Sequence, residues 1–292
     1  MVIIGDNRKP KMNIHMKGER MYLTRHQSLD GPRWALDGQY LPVDFSLSLL
    51  LQVPASSAQA LLGSLPTGPR ADGPLLAPVD AIQDVWAAGV TYMRSRVARE
   101  HESATADIYE RVYDAERPEI FPKAIGWRAS GPEDQIRVRQ DSSWDVPEPE
   151  LVIVINQDLE IIGYTAGNDV SSRAIEGENP LYLPQAKVFS GSCALGPGIV
   201  LTESTAVNDV PITLDISRGG SSVFGGDSGT GQMKRTPQEL AQYLGREMHF
   251  PYGALLMTGT GIVPDDDFTL QPGDVVTITV GELTLTNTVA SS

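Results

Sequence analysis

Glu148 and Glu150 head the run "EPELVIVINQDLEIIGYTAGND", and Asp169 closes it. Side chains alternate along a strand, so the two glutamates share one face while Leu151, Ile153 and Ile155 share the other. With "NQDL" as the turn, centred on Asp158 and Leu159, Ile155 pairs with Ile162. The ladder then sets Asp169 opposite Glu148 and Gly167 opposite Glu150. Three carboxylates converge beside a residue that has no side chain. Like charges that close resist ionising together unless a cation lies between them. Oxygen-only ligation, with room left for water or substrate, suits Mg2+ or Mn2+ better than Zn2+, which favours His and Cys. The competing reading is a solvated strand, where E-x-E is common, followed by a turn that starts at Asp169.

The scaffold that must position these groups is read from the whole chain. At 292 residues and 41% hydrophobic content it can bury a full-sized core, as one large domain plus a smaller one. An excess of 37 acidic over 23 basic residues, a formal charge of -14, argues against nucleic acid and anionic membranes as partners. The single cysteine, Cys193, excludes an internal disulfide and fits a reducing compartment. No apolar run approaches the ~20 residues of a membrane span, so a cytoplasmic location is expected. Residues 1–20 lack a signal-peptide core and read as a flexible arm, with Met12, Met16 and Met21 as competing starts.

From Met21 the pattern reads as a short hairpin with Asp37-Gly38 at a turn, and "SLSLLLQVPASSAQALLGSLP" reads as helical. These make a small module over 21–76, and the main domain runs over 77–292. There, "PLLAPVDAIQDVWAAGV" has strand spacing, "TYMRSRVAREHES" and "TADIYERVYDAE" have helical patterns, and strands are expected at 136–140, 148–156 and 160–168. "SSRAIEGENPLYLPQAK" is expected as a loop. Thr236, Pro237 and Glu239 signal the start of a helix through a capping box. The glycine-rich 218–233 follows no βα unit and reads as a hairpin loop or a cover over the site, not a phosphate cradle. Asp265, Asp266 and Asp267 lack calcium-loop spacing and read as a solvated turn. The expected class is mainly β with peripheral helices (α+β).

"GYTAGNDVSSRAIEGENPLYLPQAKVFSGSCALGPGIV", 163–200, resembles the fumarylacetoacetate hydrolase family through its Gly-Tyr-x-x-x-Asp-Val-Ser-x-Arg segment and its Lys before a "GP" strand. The resemblance runs from about residue 80 to the C-terminus and includes "TGTG" at 258–261 and "LQPGDVV" at 270–276. It implies a mixed β-sandwich roll, a homodimer, and a divalent metal held by Glu148, Glu150 and Asp169. It also places Lys187 in the active site and makes Thr260 a candidate ligand for a substrate carboxylate or carbonyl.

Where the family's hydrolases carry "N-Y-x-x-H" to activate water, this chain has "TYMRS", with Ser95 in the histidine position. His101, nearby on a charged helical pattern, reads more readily as a surface residue than as a replacement base. "IYERVYDAERPEIFPKA" and "ENPLYLPQAK" are similar instead to the sugar-acid dehydratases of the superfamily. That likeness implies dehydration of a 2-keto-3-deoxypentonate to 2-oxoglutarate semialdehyde in sugar-acid catabolism. An acylpyruvate-type C–C hydrolase is the alternative, and a non-catalytic metal-stabilised binding protein a third reading. In the dehydratase reading the metal stabilises an enolate, Lys187 abstracts a C3 proton, and Glu119 protonates the departing 4-hydroxyl. Lys123, Arg94, Arg96 and Ser95 are candidates for binding the substrate's carboxylate or hydroxyls. The structural alternatives are an ion pair for Lys187, a surface turn for Glu119 and solvated helix positions for the arginines.

Overall fold

Asp37 and Gly38 both take positive φ, 48° and 80°, and reverse the chain between the strands Gly31–Leu36 and Gln39–Tyr40. That is the two-residue turn which Asp-Gly favours. The structure, a computed structural model, describes residues 20–95 and 106–291.

Strands from distant parts of the chain form one ten-stranded sheet. From one edge the order is Gln39–Tyr40, Gly31–Leu36, Tyr22–Ser28, Cys193–Leu201, Ile161–Asp169, Pro149–Ile155, Ala254–Met257, Asp84–Gly89 and Glu119–Ile125, and Leu75–Leu76 also pairs with Tyr22–Ser28. Pairing is antiparallel except between Ala254–Met257 and Asp84–Gly89. Residues 21–76 therefore extend the same sheet that carries the carboxylate hairpin. Their helical stretch is divided: Pro54 lies between the helices Leu47–Leu50 and Ala55–Ser64.

A second sheet, in the order Ser221–Gly229, Pro211–Arg218, Val275–Val280, Leu283–Val289 and Gln135–Ile136, covers one face of the first. Leu151, Ile153 and Ile155 pack there with Ile212, Leu214, Ile216, Ile278 and Leu285. On the opposite face Val152 and Val154 meet Leu23, Leu47, Leu50, Leu51 and Leu62. The central hairpin is thus buried on both sides, which explains its near-continuous apolar run. The fold is mostly β, as expected.

Local expectations are met unevenly. The strand expected at 136–140 is only Gln135–Ile136. The expected loop after Ser172 contains the short helices Arg173–Glu178 and Leu183–Lys187 with a 3-10 turn at Pro180–Tyr182 between them. Ser172 and Asn179 cap this run by accepting from Ile175 N and Leu181 N, so turn-forming residues start helices here. Of the two readings for 218–233 the hairpin holds and the cover does not: Gly219 and Gly220 turn the chain into Ser221–Gly229, an edge strand of the second sheet. At Thr236 the cap forms as expected, its hydroxyl accepting from Glu239 N at 3.2 Å, but the Glu239 carboxylate accepts from Arg235 at 2.8 Å. Asp265, Asp266 and Asp267 are exposed. Among the described residues no helix is long and apolar enough to cross a membrane.

The large sheet cannot be flat. Glu119–Ile125 lies four strand spacings from Ile161–Asp169, about 19 Å in a planar sheet. Yet Lys123 Nζ stands 2.5 Å from Asp169 Oδ1. The sheet curls until its edge strand faces its middle. Lys123 is also the extra residue of a bulge, because Val85 pairs with Ala124 and Trp86 with Pro122. A bulge re-aims a side chain, and an edge strand tolerates the proline beside it.

Candidate active site

The ladder sets Gly167 opposite Glu150, and Asp169 N donates to Glu148 O at 3.0 Å. Ile155 pairs with Ile161 and not with Ile162, but a bulge between Ile161 and Gly163 restores the expected register before the carboxylates. Glu148, Glu150 and Asp169 each offer an oxygen within 4.8 Å of the others. They are 4%, 1% and 1% exposed, which rules out a solvated strand. Gly167 serves packing: a Cβ there would come within 2.5 Å of Val152 Cγ2 and 2.8 Å of Met257 Cε.

Each carboxylate is held by a donor from another element. Arg173, the first residue of its short helix and 1% exposed, donates to Glu148 Oε1 at 3.0 Å. Lys123 lies against Asp169 Oδ1 and also donates to the carbonyls of Val170 and Lys187. Gly259 N donates to Glu150 Oε2 at 2.5 Å. Gly259 has φ 91°, and a Cβ there would meet Thr91 Oγ1 at 2.0 Å, so only glycine can present this N–H.

Lys187 ends the helix Leu183–Lys187, and its ammonium lies at the centre of the cluster. Nζ donates to Glu148 Oε2 at 2.9 Å, Asp169 Oδ2 at 3.1 Å and Ser171 Oγ at 2.6 Å. Glu150 Oε1 has no hydrogen-bond partner among the described residues. Burial first, then the charges of Asp169 and Glu148, push the Glu150 carboxyl well above the usual carboxylate range. Three hard oxygen donors, one of them buried without a partner, fit a divalent cation of the Mg2+ type.

The other expected residues are placed unevenly. Glu119 opens the edge strand, pairs with Gly89 and lays its carboxylate over that glycine. Phe121 on the same strand has its ring centroid 5.8 Å from Lys187 Nζ. Thr260 is buried next to Gly259, with its hydroxyl donating to Ile262 O at 3.1 Å. Lys123 lies on Asp169, with its donors directed to the groups named above. Ser95 donates to Tyr92 O at 2.8 Å and accepts from Tyr92 N, closing a local turn. Arg94 lies mostly in solvent near Asp265 and Val263 O. Arg96 and His101 lie outside the described residues.

Sequence reasoning missed Arg173, Ser171, Gly259 N–H and Tyr92. Arg173 and Ser171 stood inside the quoted Asp-Val-Ser-x-Arg segment, which was a usable signal. Tyr92 is buried and its hydroxyl has no partner among the described residues; burial, then the charge of Glu150, pushes the phenol up. Nothing local marks it.

Comparison with known proteins finds related dehydratases. A "Probable 2-keto-3-deoxyxylonate dehydratase" of Haloferax volcanii is 50% identical over 73% of this chain and 74% of its own. The "2-dehydro-3-deoxy-D-arabinonate dehydratase" of Saccharolobus solfataricus is 43% identical over 70% of each. A solved "2-keto-3-deoxy-D-arabinonate dehydratase complexed with magnesium and 2,5-dioxopentanoate" is 35% identical, with TM-score 0.78 over 93% of this chain and 99% of that one. Residues 84–290 match the family described as fumarylacetoacetate (FAA) hydrolase, C-terminal, a span that contains every carboxylate and cation of the cluster. By its motifs, its fold and this match, the chain belongs to the fumarylacetoacetate hydrolase family.

Proposed function

We propose that this protein is a metal-dependent hydro-lyase that dehydrates a 2-keto-3-deoxypentonate to 2-oxoglutarate semialdehyde. The observation that carries the reading is a buried lysine ammonium on two of three convergent carboxylates, in a chain 43–50% identical to sugar-acid dehydratases. The product is the same compound as the 2,5-dioxopentanoate seen with magnesium in the related structure.

Glu148, Glu150 and Asp169 would hold Mg2+, with Mn2+ as the other oxygen-preferring candidate. The ion supplies Lewis acidity toward a 2-keto acid. Lys187, as the neutral amine, removes a proton from C3; its nitrogen stands 2.9 Å from Glu148 Oε2 and 3.1 Å from Asp169 Oδ2, beside the oxygens that would hold the ion. Glu119, across the curled sheet, returns a proton to the departing 4-hydroxyl. Thr260 and Tyr92 line the approach to Glu150 and orient the substrate. Arg94 and Arg96 are kept as contacts for its distal hydroxyls, and Ser95 as a neutral residue where a water-activating base would otherwise stand. Loss of the C3 proton and the C4 hydroxyl gives an unsaturated keto acid, and proton transfer from C5 gives the enol that becomes the aldehyde. All five carbons stay together. The same reading assigns the protein to pentose and sugar-acid breakdown as a cytoplasmic homodimer; the buried free thiol of Cys193 accords with a reducing compartment.

The test is incubation of purified protein with Mg2+ and 2-keto-3-deoxy-D-arabinonate or its C4 epimer, coupled to an aldehyde dehydrogenase. Formation of 2-oxoglutarate supports the reading. Release of pyruvate from acylpyruvates, with neither pentonate dehydrated, replaces it with the hydrolase.

A further inference from the structure

The six carboxylate oxygens divide into two sets. Glu148 Oε1, Asp169 Oδ1 and Glu150 Oε2 are held by Arg173, Lys123 and Gly259 N–H, which are buried or part of the backbone. The second oxygens behave differently: Glu148 Oε2 and Asp169 Oδ2 both accept from Lys187, and Glu150 Oε1 has no partner among the described residues. One oxygen per residue is left for a common occupant, and an ammonium sits on two of the three. Among the described residues Lys123, Lys187 and Arg173 face these carboxylates, so a divalent ion brought beside the Lys187 ammonium would meet like charge in a buried site.

We propose that the Lys187 ammonium occupies the cation position of the metal-free enzyme and that an arriving divalent ion displaces it. The inference rests on the metal reading above and adds an order of events: ion binding moves the lysine from counter-ion to reactive group. The backbone permits this exchange. Lys187 O is held by Ser192 Oγ at 2.9 Å and by Lys123, so the main chain stays in place while the side chain swings. Ser171 Oγ and the face of Phe121 give the displaced ammonium a place next to the cluster. Lys123 and Arg173 grip the other oxygens and orient the carboxylates whether or not an ion is present.

The experiment is calorimetric titration with Mg2+ alone, without substrate, of the parent, Lys187→Gln, Lys187→Arg and Lys123→Met, with thermal unfolding of each with and without Mg2+. Lys187→Gln should bind Mg2+ at least about tenfold tighter than the parent, as removal of a competing like charge requires. Its Tm without metal should fall, and its Mg2+-induced rise in Tm should be larger. Lys187→Arg keeps the charge and should gain nothing. Lys123→Met removes a cation that grips the other Asp169 oxygen, so it should bind Mg2+ no tighter than the parent. Equal or weaker binding by Lys187→Gln overturns the proposal, as does equal tightening by Lys123→Met, which would reduce the effect to general charge. If the parent and every variant fail to bind Mg2+, the metal reading itself falls and takes this one with it.

Discussion

Two antiparallel hairpins of similar length carry acidic residues under opposite conditions. In the first, Pro149–Ile155 with Ile161–Asp169, every residue is buried. In the second, Pro211–Arg218 with Ser221–Gly229, Ile212, Leu214 and Ile216 point inward while Thr213 and Asp215 face solvent. Asp215 accepts from Ser222 Oγ at 2.8 Å and is exposed. Glu148, Glu150 and Asp169 have no such recourse, and the chain answers them with Arg173, Gly259 N–H, Lys123 and Lys187 from four further segments. A carboxylate costs little on a wet strand face; on a dry one it demands partners, and breaking them leaves a charge without compensation.

The comparison can be broken most severely through turnover. Lys187→Met should lower kcat on a 2-keto-3-deoxypentonate by about 10²–10⁴-fold, the usual worth of a positioned proton-transfer group. Binding of Mg2+ and the 2-keto acid should survive in that variant, and near-parental kcat would reject the role. Glu148→Gln should lose Mg2+ affinity in calorimetry along with activity. If its titration matches the parent's, the carboxylate assignment is wrong.

The next effect is on stability. Arg173→Met removes the cation from Glu148 Oε1, leaving Lys187 on Oε2, and should cost about 3–5 kcal/mol in urea unfolding. A loss below about 1 kcal/mol would mean that water reaches the site and that the contrast between the hairpins is one of degree.

Asp145 sharpens the comparison through pH. It lies in the small ribbon Asp145–Val146 with Ser171–Ser172, next to the site; burial pushes its carboxyl up to about 6, against the lowering effect of Ser142 and Arg139. Its pKa in the folded chain exceeds the unfolded value of about 3.9, so its contribution is complete below pH ~4 and is lost as pH rises through 6. Stability should therefore fall across that window by on the order of 2 kcal/mol on this group's account. Asp145→Asn should flatten the slope in thermal unfolding between pH 4 and 7; an unchanged slope would exclude Asp145 as its source.

The smallest effect belongs to the wet hairpin. Asp215→Asn should change unfolding free energy by no more than about 0.5 kcal/mol. A loss as large as that of Arg173→Met would remove the distinction drawn here.

Much of the site is legible in residues 148–169 because its register is local. Period-two alternation and a short turn suffice to set Asp169 across from Glu148, and the misjudged pair at Ile155 is absorbed by one bulged residue. The Asp37-Gly38 turn and the Thr236 cap are legible for the same reason: each depends on a few consecutive residues. Lys123 is the opposite case. It reads as a substrate contact, and only a bulge plus the curl of a sheet whose neighbours come from residues 22 to 257 turns it onto Asp169. The segment after Ser172 was misread as loop because its caps and prolines serve turns and short helices equally well.

By itself, the sequence determined the carboxylate register and carried the motifs that mark the family, since motif spacing and strand period survive without tertiary context. Tertiary structure alone decided that both faces of the hairpin are dry and which cation meets which oxygen. It also decided that Tyr92 and Gly259 N–H join the site. The reason is physical: alternation says which side chains share a face, but strand order and sheet curvature decide whether water or a distant lysine covers it.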